Sequence, residues 1–429
     1  MPIDLTPAGR ASPYPAHGPR LLPWLGIWLI CCAVSVLIVW GLRSKGAPAG
    51  DPKFWFYVLG IPTLMFAILL GIDRGGFEAL WLRAFFRNQI RRKWLAESVE
   101  QAQRPLQLLG VGYCLPLGDE DLSAVMSAGR PILISQAPRS GAGVITHNRF
   151  AEETFTSISV PENTELPVHP QEIAEALPQK AERVATITLK VVKALEPLLS
   201  SLHALSQYGP VHAPTVRILA SPNGNPTRVQ QVREALRRAG LSSLECLVVP
   251  ADQGLMVADA WLDAGDQRPL LVIGAEWHDS APLMGSAEGC VAVLLNPGAY
   301  RLPEPVRVAG LLHRPVVGEP DALGDLLKLT LIWGRTGASA VRRTWLTRVE
   351  SRQDSALLTA CKAASLEQLA EAEAQRRPDL IVGDVGPLNP WLSIAAAIAS
   401  GMEGPQLIMD RTQAAVLYVT ASPHDTSDQ

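Results

Sequence analysis

Two uncharged apolar runs, separated by one short polar link, constrain this chain more than anything else in it. Residues 21–42 read LLPWLGIWLICCAVSVLIVWGL, and residues 54–72 read FWFYVLGIPTLMFAILLGI. Each is about the length a helix needs to cross the hydrocarbon core of a bilayer. Trp24, Trp28 and Trp40 lie toward the ends of the first run, where indole rings favour the interface. Pro62 interrupts the second, which a membrane helix tolerates. The link RSKGAPAGDPK is short, so residues 21–72 are expected to form a transmembrane hairpin with both flanking parts on one side. A cleaved signal peptide is the first rival. It fits poorly, because the first run is too long and a second follows. Burial in a soluble core is the other, and two uncharged runs of this length argue against it.

Basic residues set the orientation. Arg83, Arg87, Arg91, Arg92 and Lys93 crowd behind the second run, whereas the link carries Arg43, Lys45 and Lys53. Positive charge concentrates on the cytoplasmic side. The expectation is a two-pass protein of the bacterial inner membrane with N- and C-termini cytoplasmic, and the lipid bilayer as its first partner. Phe77, Leu80, Trp81, Phe85, Phe86 and Trp94 interleave with those arginines. Two readings of residues 73–103 stand open. One is a basic amphipathic helix in the headgroup plane, with the arginines and Lys93 at the membrane surface. The other is a helix packed on the soluble part. Residues 1–20 are expected to be flexible and 421–429 disordered.

A net charge of −3 removes the case for nucleic-acid binding by bulk charge. The six cysteines form no CxxC pair; Cys114, Cys246, Cys290 and Cys361 sit in or beside apolar runs and read as reduced core thiols. No metal site is expected. From about residue 104, apolar strands alternate with helix-like segments, which argues for a layered α/β fold. Strands are expected at 106–114, 215–220, 246–250, 270–276, 290–296, 306–312 and 379–385, then at PQLIMD and AAVLYVT. Helices are expected at 229–240, 255–264, 364–376 and 391–401, with a loop-rich stretch at 138–170. No nucleotide-binding loop appears, and no cofactor is expected.

The stretch LVVPADQGLMVADAWLDAGDQRPLLVIGAEW (247–277) runs strand, turn, helix, strand. Some acyl-transfer enzymes present a nucleophile this way, yet the turn holds neither Cys nor Ser. In order, LQLLGVGYCLPLGDEDLSAVMSAGRPIL (106–133), PADQGLMVADAWLDAGDQRPLLVIGAE (250–276), MGSAEGCVAVLLN (284–296) and RPDLIVGDVGPLNP (377–390) resemble the segments of a β-ketoacyl synthase of the thiolase-like superfamily. The resemblance spans about 104–420. It implies a thiolase-like five-layered (αβαβα) cytoplasmic domain of two halves, about 104–283 and 284–420, behind the transmembrane hairpin. The helices 255–264 and 391–400 would be its buried centre. It also implies a homodimer that pairs through CLVVP.

The departures from that family matter most. Aligning Gly254 puts Ala251 where the nucleophilic cysteine belongs, within the turn Ala251, Asp252, Gln253, Gly254. A methyl group cannot attack an acyl carbon, a step that needs a thiolate. Val382 falls where the first histidine belongs, with Asp384 and Asn389 in the same segment. Only His424 follows residue 377. Asp252, Glu276 and Glu288 are candidates for another acid/base role or for helix capping and local pairing. His147, His169, His203, His212, His278 and His313 read as surface or structural. Two functions follow. One is an inactive, membrane-anchored adaptor or scaffold, with bacterial secretion machines, type VI among them, as a setting. The other is an acyl-transfer or acyl-binding protein of lipid or polyketide metabolism with a non-standard site.

Overall fold

The computed structural model describes residues 6–18, 20–42, 52–118, 120–151, 155–157, 182–220, 226–349, 353–371 and 373–420. Most of the polar link, part of the loop-rich stretch, His169 and the tail with His424 lie outside them. The chain divides into two compact units, Ile3–Gln101 and Ala102–Gln429.

In the first unit, α1 (Leu21–Gly41) and α2 (Pro52–Ala102) are each long and apolar enough to cross a membrane. Only 6% and 11% of their apolar windows are buried, unlike a soluble core helix. Trp24 Nε1 donates to Asp73 at 3.0 Å and Trp28 Nε1 to Thr63 at 3.1 Å. Both indoles meet Phe66 edge-on or tilted.

The second apolar run and residues 73–102 form one helix. After a π turn at Phe56–Gly60, the helix runs unbroken through Ile61–Ala102. Gly75 and Gly76 each cost a helix about 1 kcal/mol. No proline lies beside these glycines, and the Arg74–Glu78 ion pair bridges one turn across them at 2.9 Å. Arg83, Arg87, Arg92 and Lys93 are exposed on this helix and Arg91 is half-buried. The leader expected to be flexible is tied down. Ser12 and Asn88 exchange two hydrogen bonds, Arg91 donates to Gly9 O at 3.0 Å, and Tyr14 packs on Trp81. Residues 81, 88 and 91 share one helical stripe, so the leader follows that face.

The second unit holds β1 (Leu106–Cys114), α3 (Leu122–Ala128), β2 (Ile134–Gln136), β3 (Ile145–His147), β4 (Phe155–Ser157), β5 (Glu182–Val184), α4 (Thr186–Leu195), α5 (Leu199–Gln207), β6 (Thr215–Ala220), α6 (Pro226–Arg238), β7 (Cys246–Pro250), α7 (Met256–Ala264), β8 (Leu270–Glu276) and β9 (Gly289–Asn296). It continues with β10 (Gly310–Leu312), β11 (Val316–Val317), α8 (Leu323–Trp333), β12 (Arg343–Thr347), α9 (Asp354–Ala363), β13 (Gln375–Arg376), α10 (Pro378–Ile381), α11 (Asn389–Ala399), β14 (Gly404–Asp410) and β15 (Gln413–Val419).

The main sheet runs β13-β12-β14-β15-β10-β1-β9-β8-β6-β7, with β11 on β15. It contains one topology twice. From the centre outward, β1-β9-β8-β6-β7 repeats as β10-β15-β14-β12-β13. In both halves the outer three strands are mutually parallel and the next two contacts are antiparallel. The halves join where β1 pairs β10. They divide between β9 and β10, not at 283/284, because β9 is bonded to β8 and β1.

One core cluster packs α7 and α11 against strands of both halves, including Leu106, Val272, Leu295, Trp345, Ile408 and Leu417. A second packs α4, α5 and α6 on the outer face of the first half. With α8 and α9 beyond the second half, the order is αβαβα. Every residue of α11 from Asn389 to Ala397 is buried, which suits a helix of small and apolar residues on all sides.

Three local expectations differ. The strand at 379–385 is the short helix α10, followed by a turn at Gly383 with φ of 114°. Pro378 favours a helix start, and the Asp379 carboxylate accepts from Leu380 N and Arg348 N. The helix at 364–376 lies earlier, as α9. The strand at 306–312 shortens to β10.

Candidate functional site

The turn after β7 builds the floor of a cavity. Pro250 ends the strand, Ala251–Gln253 make one 3-10 turn, and Gly254 takes φ of 49° before α7. Only glycine suits that position: a Cβ there would lie 2.6 Å from Gln413 Oε1. Gln413, at the start of β15 in the other half, clamps the turn. Its Oε1 accepts from Leu255 N at 2.8 Å and its Nε2 donates to Asp252 O at 3.3 Å. Asp252 is exposed and makes no capping bond, against expectation, and Gln253 is half-buried.

Ala251 lines a cavity of about 830 Å³ shared with Leu219, Arg228, Val248, Glu276, Trp277, His278, Leu283, Met284, Asp384 and Leu388. The volume lies in the range of small-molecule sites. Close packing shapes its wall: Leu388 covers Gly274, where a Cβ would come within 2.1 Å of Leu388 Cδ2. None of the cysteines lines this cavity. Cys114, Cys290 and Cys361 are buried and Cys246 half-buried. Burial pushes the thiols of Cys246, Cys290 and Cys361 up, away from the reactive thiolate.

The segment that resembles the family's histidine strand splits between core and cavity. Val382 is fully buried and packs in the central core, so it does not face the cavity. Asp384, two residues on, does. Its Oδ1 accepts from Gly386 N at 2.7 Å and from Asn389 Nδ2 at 2.6 Å, while Asn389 Oδ1 accepts from Val385 N at 3.1 Å. Asn389 is buried and braces the turn into α11.

The remaining carboxylates divide by role. Glu288 is completely buried and structural: it pairs with Arg139 and accepts from Phe150 N and His278 N, both at 2.9 Å. Glu276, at the end of β8, differs. Burial pushes its carboxyl up to about 7; Arg228 opposes, and Asp384 and Glu288 add to the rise. A carboxyl that titrates near neutrality in a cavity suits proton transfer or charge recognition. Arg228 is committed elsewhere, donating to Asp279 at 2.9 Å and Gln231 at 3.2 Å. Burial holds the His278 imidazole below its usual range. His147 is fully buried, with Nδ1 2.9 Å from Ile145 O, and His313 is buried directly after β10. Neither lines the cavity. Among the described residues, no group of His, Cys, Asp and Glu could hold a metal ion.

The sequence reading missed Arg228 and Gln413. Nothing in the sequence near the turn points to Gln413, which meets Leu255 across 158 positions.

No protein-family model matches the chain, and no curated protein matches it. Solved structures do. The ketosynthase of module 6 of the bacillaene synthase from Bacillus subtilis 168 superposes with a TM-score of 0.51, at 10% identity, over 75% of this chain and 71% of that one. The fold is that of a ketosynthase. Less close superpositions include peroxisomal 3-ketoacyl-CoA thiolase of Saccharomyces cerevisiae (TM-score 0.44, 9% identity, 74% of this chain and 98% of that one). Another is the oxazolomycin ketosynthase domain OzmH KS8 of Streptomyces albus JA3453 (TM-score 0.45, 16% identity, 69% and 78%). Within the ketosynthase fold of this chain, the duplicated topology brings the turns before α7 and α11 to one cavity.

Proposed function

We propose that this is a membrane-anchored protein of ketosynthase fold that performs no thiolate chemistry and acts as an adaptor or scaffold. One observation carries the reading. The side chain at the cavity floor, on the turn between β7 and α7, is the methyl group of Ala251. The cavity also lacks a thiol that could substitute. The hairpin of α1 and α2 supports a two-pass anchor in a bacterial inner membrane with both termini cytoplasmic. Tethering raises the local concentration of whatever the domain binds. The setting we assign, an accessory role in a secretion machine such as type VI, rests on this architecture alone. We also assign a homodimer through the free edge of β7.

A second reading, an acyl-binding or acyl-transfer protein with a non-standard site, is favoured by the open cavity and by Glu276 titrating near neutrality. Incubation of the full chain with radiolabelled acyl-coenzyme A and acyl carrier protein separates the two. No covalent label is expected. A labelled residue, mapped by mass spectrometry to the cavity, would overturn the first reading.

A further inference from the structure

The polar end of the cavity is unbalanced. Glu276, Asp279 and Asp384 line it, and among the described residues the one guanidinium against them is that of Arg228, which pairs with Asp279. His278 adds no positive charge near neutrality, since burial disfavours its protonated form. Among the described residues the Glu276 carboxylate has no hydrogen-bond partner, and it faces Gly386, whose absent Cβ would sit 3.5 Å from Oε2. Asp384 uses Oδ1 for the turn and stands in the same cavity. The opposite end is apolar: Val248, Pro282, Leu283 and Met284 line it, and Leu283 and Met284 are more than four-fifths exposed at its mouth.

We propose that this cavity binds a protonated amine with a short apolar body, its ammonium donating to Glu276 and Asp384 and its body lying on Val248, Leu283 and Met284. The proposal rests on the reading that the cavity performs no acyl transfer, and it names the ligand class an adaptor of this kind would sense. Among the described residues the charged groups facing Glu276 fit: Arg228 from α6 is already paired, Asp384 before α11 and Asp279 after β8 bring further carboxyl groups, and Glu288 before β9 is held by Arg139. A carboxylate or acyl phosphate would meet repulsion here, whereas a cation relieves it.

The test titrates the full chain in lipid nanodiscs with phenethylamine, 2-phenylethanol and 3-phenylpropionate by calorimetry. Phenethylamine stays protonated between pH 6 and 8, so any pH effect comes from the protein. The amine is expected to bind at least tenfold more tightly than either analogue at pH 8. Its affinity should fall about tenfold by pH 6, because the ligand must then displace the Glu276 proton. Glu276→Gln should lower the affinity about tenfold and flatten the pH profile, and Asp384→Asn should lower it at all pH values. The proposal is overturned if 3-phenylpropionate binds as well as the amine, or if the unmutated chain shows no pH dependence. Acyl labelling in the other experiment would remove the adaptor reading without touching this titration, so the two failures are distinct.

Discussion

β7 and β13 occupy the same place in the two halves, the outer edge of the sheet, and are built on opposite plans. β7 has five residues, with Leu247 and Val248 close to half exposed. β13 has two, Gln375 and Arg376, and Arg376 folds back to donate to Gln375 O and Glu373 O. A short, charged edge resists strand addition, whereas a longer apolar edge invites it. The duplicated topology therefore does not duplicate the surface. One edge is short and charged, and the other is longer and apolar. The central helices diverge too. α11 is buried on all sides, while α7 carries Asp259 and Asp263, both clasped by Arg314 from the other half, Asp259 at 2.5 Å.

The largest expected effect breaks the contrast between the edges. Leu247→Lys with Val248→Lys should convert dimer to monomer in sedimentation of the detergent-solubilised chain, while Gln375→Lys leaves the mass unchanged. A monomeric unmutated chain would remove the dimer assignment. Next comes the contrast between helices. Arg314→Ala leaves Asp259, whose carboxyl burial already pushes up, without its partner. Removing one member of a buried pair costs about 3–5 kcal/mol, read as a loss in denaturant midpoint.

Glu276→Gln sharpens the comparison at the cavity. The folded pKa of about 7 lies above the unfolded value, so this carboxyl adds stability at low pH that is lost as pH rises through 7. The Gln variant should gain on the unmutated chain between pH 5 and pH 8, by up to ~3 kcal/mol at 1.36 kcal/mol per unit. Equal melting profiles across that range would contradict the buried carboxyl. The smallest effect is Gln413→Ala, which removes two hydrogen bonds between halves and should cost about 1–2 kcal/mol in thermal melts.

Much of the fold was legible because local pattern and tertiary role agree. β1, β6, β7 and β8 lie where the apolar runs place them, and α7 and α11 follow from small, apolar composition. The misplaced elements are those where contacts outvote pattern. The segment 379–385 reads as a strand by its apolar residues, but Pro378 and the Asp379 hydrogen bonds wind it into α10. That error carried into the site, since Val382 turned out to be core and Asp384 to face the cavity. The turn that carries Ala251 could be read from the sequence because strand, turn and helix follow one another locally. Arg228 and Gln413 were invisible because Arg228 reaches the cavity, and Gln413 the turn beneath it, through folding alone.

The clamp of Gln413 on the turn at Gly254 has a consequence for how the domain comes apart. A hairpin of one half supplies hydrogen bonds that the other half's turn cannot make for itself. Cutting the chain between β9 and β10 would thus not release two autonomous lobes. It would leave one fragment with an unbraced loop and the other with an amide facing water, so the repeated topology does not make the two halves separable.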